Sequence, residues 1–137
     1  MGNSTTFLTI PAAQRLGTQV VYAEREIDFT VENLASDSTM DVLKLPKGAV
    51  PVRAGWICKT VNTNTSAKLA VGVASASLAI QAAAVLGNAN AVTMTTLTAS
   101  KVLTADDTLR ITGTVANLVQ AKVVVFCEYF VSDACRN

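Results

Sequence analysis

Histidine is missing from all 137 residues. Its absence removes the commonest general base, the usual activator of a nucleophilic serine or cysteine, and the commonest transition-metal ligand. Charge is also scarce, at 15% of residues against about 25% in ordinary soluble domains. The 11 basic and 10 acidic residues leave a net charge of +1 and are spread along the chain. There is therefore no basic stripe to neutralise phosphates and no polybasic cluster to hold anionic lipid, which argues against nucleic-acid and membrane partners. Aromatic residues make up only 5% and are not interleaved with basic ones, so stacking on bases or sugars is not indicated. No apolar run reaches about 18 residues. The N-terminus has neither the charged nor the apolar region of a signal peptide, so synthesis in the cytosol is expected. The patterns G-x-G-x-x-G, G-x-x-x-x-G-K-[ST] and G-x-S-x-G do not occur, which leaves nucleotide cradles and nucleophile elbows without support.

The three cysteines, Cys58, Cys127 and Cys135, include no Cys-x-x-Cys pair and leave one thiol over under any intramolecular disulfide scheme. Cys58 and Cys127 lie inside apolar runs, where cysteine acts as a small hydrophobe, so free buried thiols are expected. A myristoylation-like start at Gly2 and glycosylation-like triplets at Asn3 and Asn64 are short patterns that arise by chance.

What is present is hydrophobic residue, at half of the chain. A chain of this length makes one domain with a real core, burying roughly 65–70% of its unfolded surface. With so few charges, Thr, Ser, Asn and Ala must cover the outside, and such a surface is suited to being covered by neighbours.

Residues 1–21 are polar and Thr-rich without a sustained period. They read as an extended N-terminal arm whose Phe7, Leu8 and Ile10 dock on the domain or on a neighbour. Residues 22–137 read as the domain. From Tyr22 to Glu32, Ile27, Phe29 and Val31 alternate with Glu26, Asp28, Thr30 and Glu32, the pattern of a half-buried strand. A second extended run covers Met40 to Leu45. Pro46-Lys47-Gly48 then fits a type I turn with proline second and glycine fourth.

Val50, Val52, Ala54, Trp56 and Cys58 fall on one side of the next strand, with Trp56, the only tryptophan, as the expected core anchor. Asn62 to Ser66 reads as a loop tip, and Leu69, Val71 and Val73 as the inward face of a strand forming a wide-looped hairpin with its predecessor. The Ala-rich stretch Ser77 to Leu86 favours a short helix. β character returns at Val92–Leu97, at Leu109–Gly113 and at Lys122–Val131. In the last of these both faces are apolar, Val123, Val125, Cys127 and Tyr129 on one side and Val124, Phe126, Glu128 and Phe130 on the other. That places it inside a sheet with its outer face available to another subunit. The sum is an all-β domain, a β-sandwich or jelly roll of about seven to eight strands, with an N-terminal arm and one short helix.

Without histidine, paired carboxylates are the remaining route to catalysis. Glu24, Glu26, Asp28 and Glu32 fall at even-numbered intervals on one strand face, where a solvated or contact-making row is the simpler reading. Asp106-Asp107 precedes a strand, where aspartate makes local backbone hydrogen bonds, and a turn role is expected over a calcium ligand. No catalytic residue, metal, cofactor or small-molecule substrate is assigned.

Two blocks carry a resemblance: Asp41-Val42-Leu43-Lys44-Leu45-Pro46-Lys47-Gly48-Ala49-Val50, and Leu103 to Ile111 together with Ala121-Lys122-Val123-Val124-Val125. Their order and spacing resemble the cement or decoration proteins of tailed bacteriophage capsids, over roughly Tyr22 to Val131. The resemblance implies a β-sandwich or jelly-roll subunit, commonly a homotrimer, that binds the major capsid protein on the outside of the head and locks the shell. It implies location on the virion, and in the host cytoplasm before assembly. The contact candidates are Phe7, Leu8 and Ile10 of the arm, Glu24 and Glu26 of the acidic row, and Phe126 and Phe130 of the last strand. A tail or fibre component is the alternative reading.

Overall fold

A computed structural model describes residues 20–74 and 78–132. Among them are eight strands and no helix: β1 (Val21–Asp28), β2 (Thr39–Leu45), β3 (Ala49–Thr60), β4 (Lys68–Val73), β5 (Leu78–Val85), β6 (Val92–Thr96), β7 (Asp107–Thr114) and β8 (Lys122–Val131). They form two four-stranded antiparallel sheets, the first in the order β1-β8-β3-β6 and the second in the order β2-β7-β4-β5. β4 and β5 are the single pair of sequence neighbours that share a sheet, and every other connection carries the chain across the sandwich. This nested order is that of the eight-stranded jelly roll.

The core lies between the sheets and is built by period-two patterning. Ile27 of β1, Trp56 and Cys58 of β3, and Val123, Val125 and Cys127 of β8 face Leu69 and Val71 of β4 and Leu109 and Ile111 of β7, all buried. Trp56 is the largest side chain in this core and donates from Nε1 to the Leu86 carbonyl at 3.2 Å, so its one polar atom is satisfied.

Several expectations need correction. Ser77 to Leu86 is not helical where described: Leu78–Val85 is β5, paired with β4. Alanine's helix preference is a local bias of a few tenths of a kcal/mol per residue, and the ladder with β4 outweighs it. β3 and β4 do not form a hairpin but belong to different sheets. The bend at Pro46 closes by a hydrogen bond from Ala49 N to Pro46 O, so proline stands first and Gly48 third, with φ +89°, the left-handed geometry of a type II turn.

Val31 is not inward but 79% exposed, because β1 stops at Asp28. There the Asp28 carboxylate accepts from Thr30 N and Thr30 Oγ1, and the Asp28 carbonyl accepts from Val31 N and Glu32 N, which turns the chain. In β3 an irregularity between Pro51 and Arg53 moves Val50 to the outer side, opposite Phe130, while Ala54, Trp56 and Cys58 stay inward.

Asn62, expected at a loop tip, is buried. Its Oδ1 accepts from the backbone N–H groups of Val119, Gln120 and Ala121 at 3.2, 3.2 and 3.3 Å, and its Nδ2 donates to the carbonyls of Asn64 and Asn117 at 3.1 Å each. One amide therefore ties the β3–β4 loop to the β7–β8 loop.

Candidate interaction surface

In an antiparallel pair, residues opposite each other share a face, so the register assigns every side chain of the first sheet. Its outer face carries Tyr22, Glu24, Glu26 and Asp28 from β1, Val124, Phe126, Glu128 and Phe130 from β8, Arg53, Gly55 and Ile57 from β3, and Val92 and Met94 from β6. The sequence thus brings together four of its seven candidates, Glu24, Glu26, Phe126 and Phe130, on one surface. Phe7, Leu8 and Ile10 lie outside the described residues, as do Cys135 and the triplet at Asn3.

The face is apolar to a degree unusual for the outside of a sandwich. Tyr22, Val92 and Met94 are 49%, 53% and 48% exposed, and β6 turns its threonines Thr93 and Thr95 toward the other sheet while presenting valine and methionine outward. Alternating apolar-in, polar-out patterning is reversed there, and exposed apolar patches of this kind mark contact sites. The Tyr22 ring stacks on Phe126, with centroids 5.8 Å apart and planes 24° from parallel, so Phe126 is only 5% exposed. Burial, and then the negative charges of Glu24 and Glu128, raise the Tyr22 phenol above its usual range, keeping it neutral. Arg53 pairs with Glu128 at the centre of the face.

Glu24 and Glu26 form a row along the β1 edge, opposite Phe126 and Val124. Glu32 does not extend that row: it pairs with Arg25, at 3.1 Å, beyond the end of the strand. These carboxylates project from an open sheet in line, and among the described residues no three His, Cys, Asp or Glu side chains converge on a metal-sized site. Asp107 serves the local backbone, accepting from Thr108 N at 2.8 Å, whereas Asp106 accepts from Lys47 N at 2.9 Å and so ties the start of β7 to the β2–β3 turn. Cys58 and Cys127 are free and buried, and burial pushes the Cys127 thiol up to about 12, so it carries no thiolate at neutral pH.

The outer face of the second sheet is different in character. Asp41 and Arg110 form an ion pair at 2.7 Å, flanked in register by Thr39, Thr112 and Ala70 and by Gly72 and Ala79. The guanidinium beside Asp41 holds its carboxyl below the ordinary carboxylate range. The molecule therefore has one greasy face and one small, polar face.

No protein-family model matches the chain, and no curated protein matches it in sequence. Solved structures do share its fold. A chain of the cyanophage Pam1 capsid asymmetric unit superposes with a TM-score of 0.65 at 19% identity, covering 90% of this chain and 98% of that one. A chain of the capsid of Ralstonia phage GP4 gives 0.63 at 17% identity, covering 90% and 88%. A chain of the acid-stable capsid of Helicobacter pylori bacteriophage KHP30 gives 0.57 at 16% identity, covering 84% and 90%. The jelly roll described above is thus a fold found in bacteriophage capsids.

Proposed function

We propose that this chain is a virion structural protein, a capsid cement or decoration subunit that binds the outer surface of a phage head. Its partners are the major capsid protein and further copies of itself, as a trimer, and it resides in the host cytoplasm until it joins the virion. The apolar outer face of the first sheet carries this reading: Tyr22, seated on the buried Phe126, forms with Phe130, Val92 and Met94 a surface that a lone protein has no reason to keep, with Glu24 and Glu26 along its rim to set register by charge. The shared fold with chains of phage capsids supports the same conclusion. Stabilisation of the shell then comes from additive burial, many weak contacts made simultaneously by an oligomer.

The test is co-sedimentation with heads lacking the protein. Tyr22→Asp, and separately Glu24→Lys combined with Glu26→Lys, should weaken binding more than about tenfold, equivalent to roughly 1.4 kcal/mol, while leaving the β spectrum intact. Binding equal to wild type in both variants would remove this face from the interface. Copy number per particle distinguishes the head from the tail: hundreds of copies support decoration, and a few dozen or fewer would overturn it.

A further inference from the structure

Between Lys68 and Lys101 the chain has no charged residue. This stretch supplies both edge strands on one flank of the sandwich, β5 for the second sheet and β6 for the first. The opposite flank is edged by β1 and β2, which carry Glu24, Arg25, Glu26, Asp41 and Lys44. Charges and bulges are the usual protection of a sheet edge against pairing with another chain. β1 has charges, β2 has both, and β5 has two irregularities against β4. β6 has neither, since Val92–Thr96 is uncharged and runs in unbroken register with Arg53–Ile57.

The ladder also shows which backbone groups of β6 are free. Cys58 N donates to Ala91 O at one end of the pairing and Leu97 N donates to Val52 O at the other. Hydrogen-bonded and non-bonded pairs alternate between those points, so Val92, Met94 and Thr96 direct their N–H and C=O groups away from β3. Among the described residues no strand receives them.

The sequence contains a segment fitted to this edge. Thr5-Thr6-Phe7-Leu8-Thr9-Ile10 is uncharged, is β-branched or aromatic at every position but Leu8, and is closed by Pro11, which cannot extend a ladder. Nine residues, Pro11 to Gln19, connect it to Val20, a reach of up to roughly 30 Å. The chain enters the domain at β1, the far edge of the first sheet from β6. A return to its own β6 would lay this linker across the full four-strand width of the sheet, whereas a neighbour's segment meets the edge directly.

We propose that Thr5–Ile10 of one copy adds as a fifth, outermost strand to the β6 edge of a second copy, so that each subunit gives one strand and receives one. Such a head-to-tail linkage closes into a ring and pairs the β6 edge of every copy. It goes beyond the capsid reading, because it requires no shell, and it is tested on purified protein without heads.

The full-length protein is followed by light scattering and by amide hydrogen exchange. Wild type should be oligomeric, with the amides of Val92, Met94 and Thr96 slowed more than about 100-fold relative to a protein lacking Met1–Pro11. Met94→Pro removes an N–H that the β3 ladder does not use, and Thr9→Pro blocks the donor segment. Each should give monomers with the β spectrum and the urea midpoint of the truncated protein. Should Met94→Pro fail to fold, Thr9→Pro and the truncation decide the matter alone. A monomeric wild type, oligomers that survive truncation, or slow Val92, Met94 and Thr96 amides in protein diluted to monomers would each overturn the proposal, the last by showing that the strand returns to its own chain.

Discussion

Replacing Asn62 with alanine removes five hydrogen bonds through one side chain. The three accepted by Oδ1 are long, at 3.2 to 3.3 Å, and share one oxygen, so none is strong alone. Val119 and Gln120 are exposed residues whose N–H groups can find water after the change, but the Ala121 amide is buried and cannot. Leaving one buried donor unmatched costs about 1–3 kcal/mol, and losing the two Nδ2 bonds to the Asn64 and Asn117 carbonyls adds about 0.5–1.5 kcal/mol each if those oxygens are only partly rehydrated. The expected loss is about 3 kcal/mol, a large share of the 5–15 kcal/mol typical of a domain. Urea unfolding followed by Trp56 fluorescence measures it directly, since the single tryptophan is fully buried. The midpoint should fall with the slope unchanged. A loss below about 0.5 kcal/mol would refute the role given to Asn62, because that is the range of an ordinary surface substitution.

Two further outcomes follow from the geometry. A Cβ placed on Gly55 would meet Thr93 O at 2.0 Å and the Met94 Cα at 2.6 Å, both backbone, so Gly55→Ala should push β6 off the sheet and cost more than about 2 kcal/mol by the same urea assay, whereas a neutral result would mean β6 sits farther from β3. The Asp28 carboxyl, held below its ordinary range by hydrogen bonds from the Thr30 hydroxyl and amide, and the Asp41 carboxyl, held down by Arg110, both favour the folded state above the unfolded pKa of about 3.9 and lose that contribution as pH falls through their folded values. The urea midpoint should therefore hold from pH 7 to about pH 5 and decline below about pH 4, and a midpoint that rises on acidification would contradict this.

Much of the fold is legible in the sequence wherever a strand keeps period two without interruption. β4 shows it with Leu69, Val71 and Val73, and β8 shows it on both faces, the mark of a strand inside a sheet; the structure sets it between β1 and β3 with Phe126 and Phe130 on the outer side. The misreadings arise where a partner that a segment's own pattern does not show overrules its local preference. Ala79 and Ala82 to Ala84 look helical alone and become strand only against β4. The β3 irregularity that turns Val50 outward exists only in the pairing with β8. Asn62 resembles any loop asparagine, since the N–H groups that donate to its Oδ1 lie 57 to 59 residues away.

The composition of the first sheet's outer face, the proposed contact surface, is half legible in the sequence. Glu24, Glu26, Phe126 and Phe130 follow from alternation along single strands, but the outward placement of Val92 and Met94 depends on the register of β6 against β3, which no local pattern reports. A run of 32 residues without charge, Leu69 to Ser100, was a readable signal for that flank.

If neighbours cover the outer face of the first sheet in the assembled particle, its carboxylates must lose their accessibility there. Carbodiimide labelling of carboxylates, read by mass spectrometry on free protein and on intact particles, measures that loss directly. Glu24 and Glu26 should be modified in the free protein and shielded in the particle, while Asp41 on the opposite face stays reactive in both. Equal labelling of Glu24 and Glu26 in the two states, or shielding confined to Asp41, would contradict such coverage.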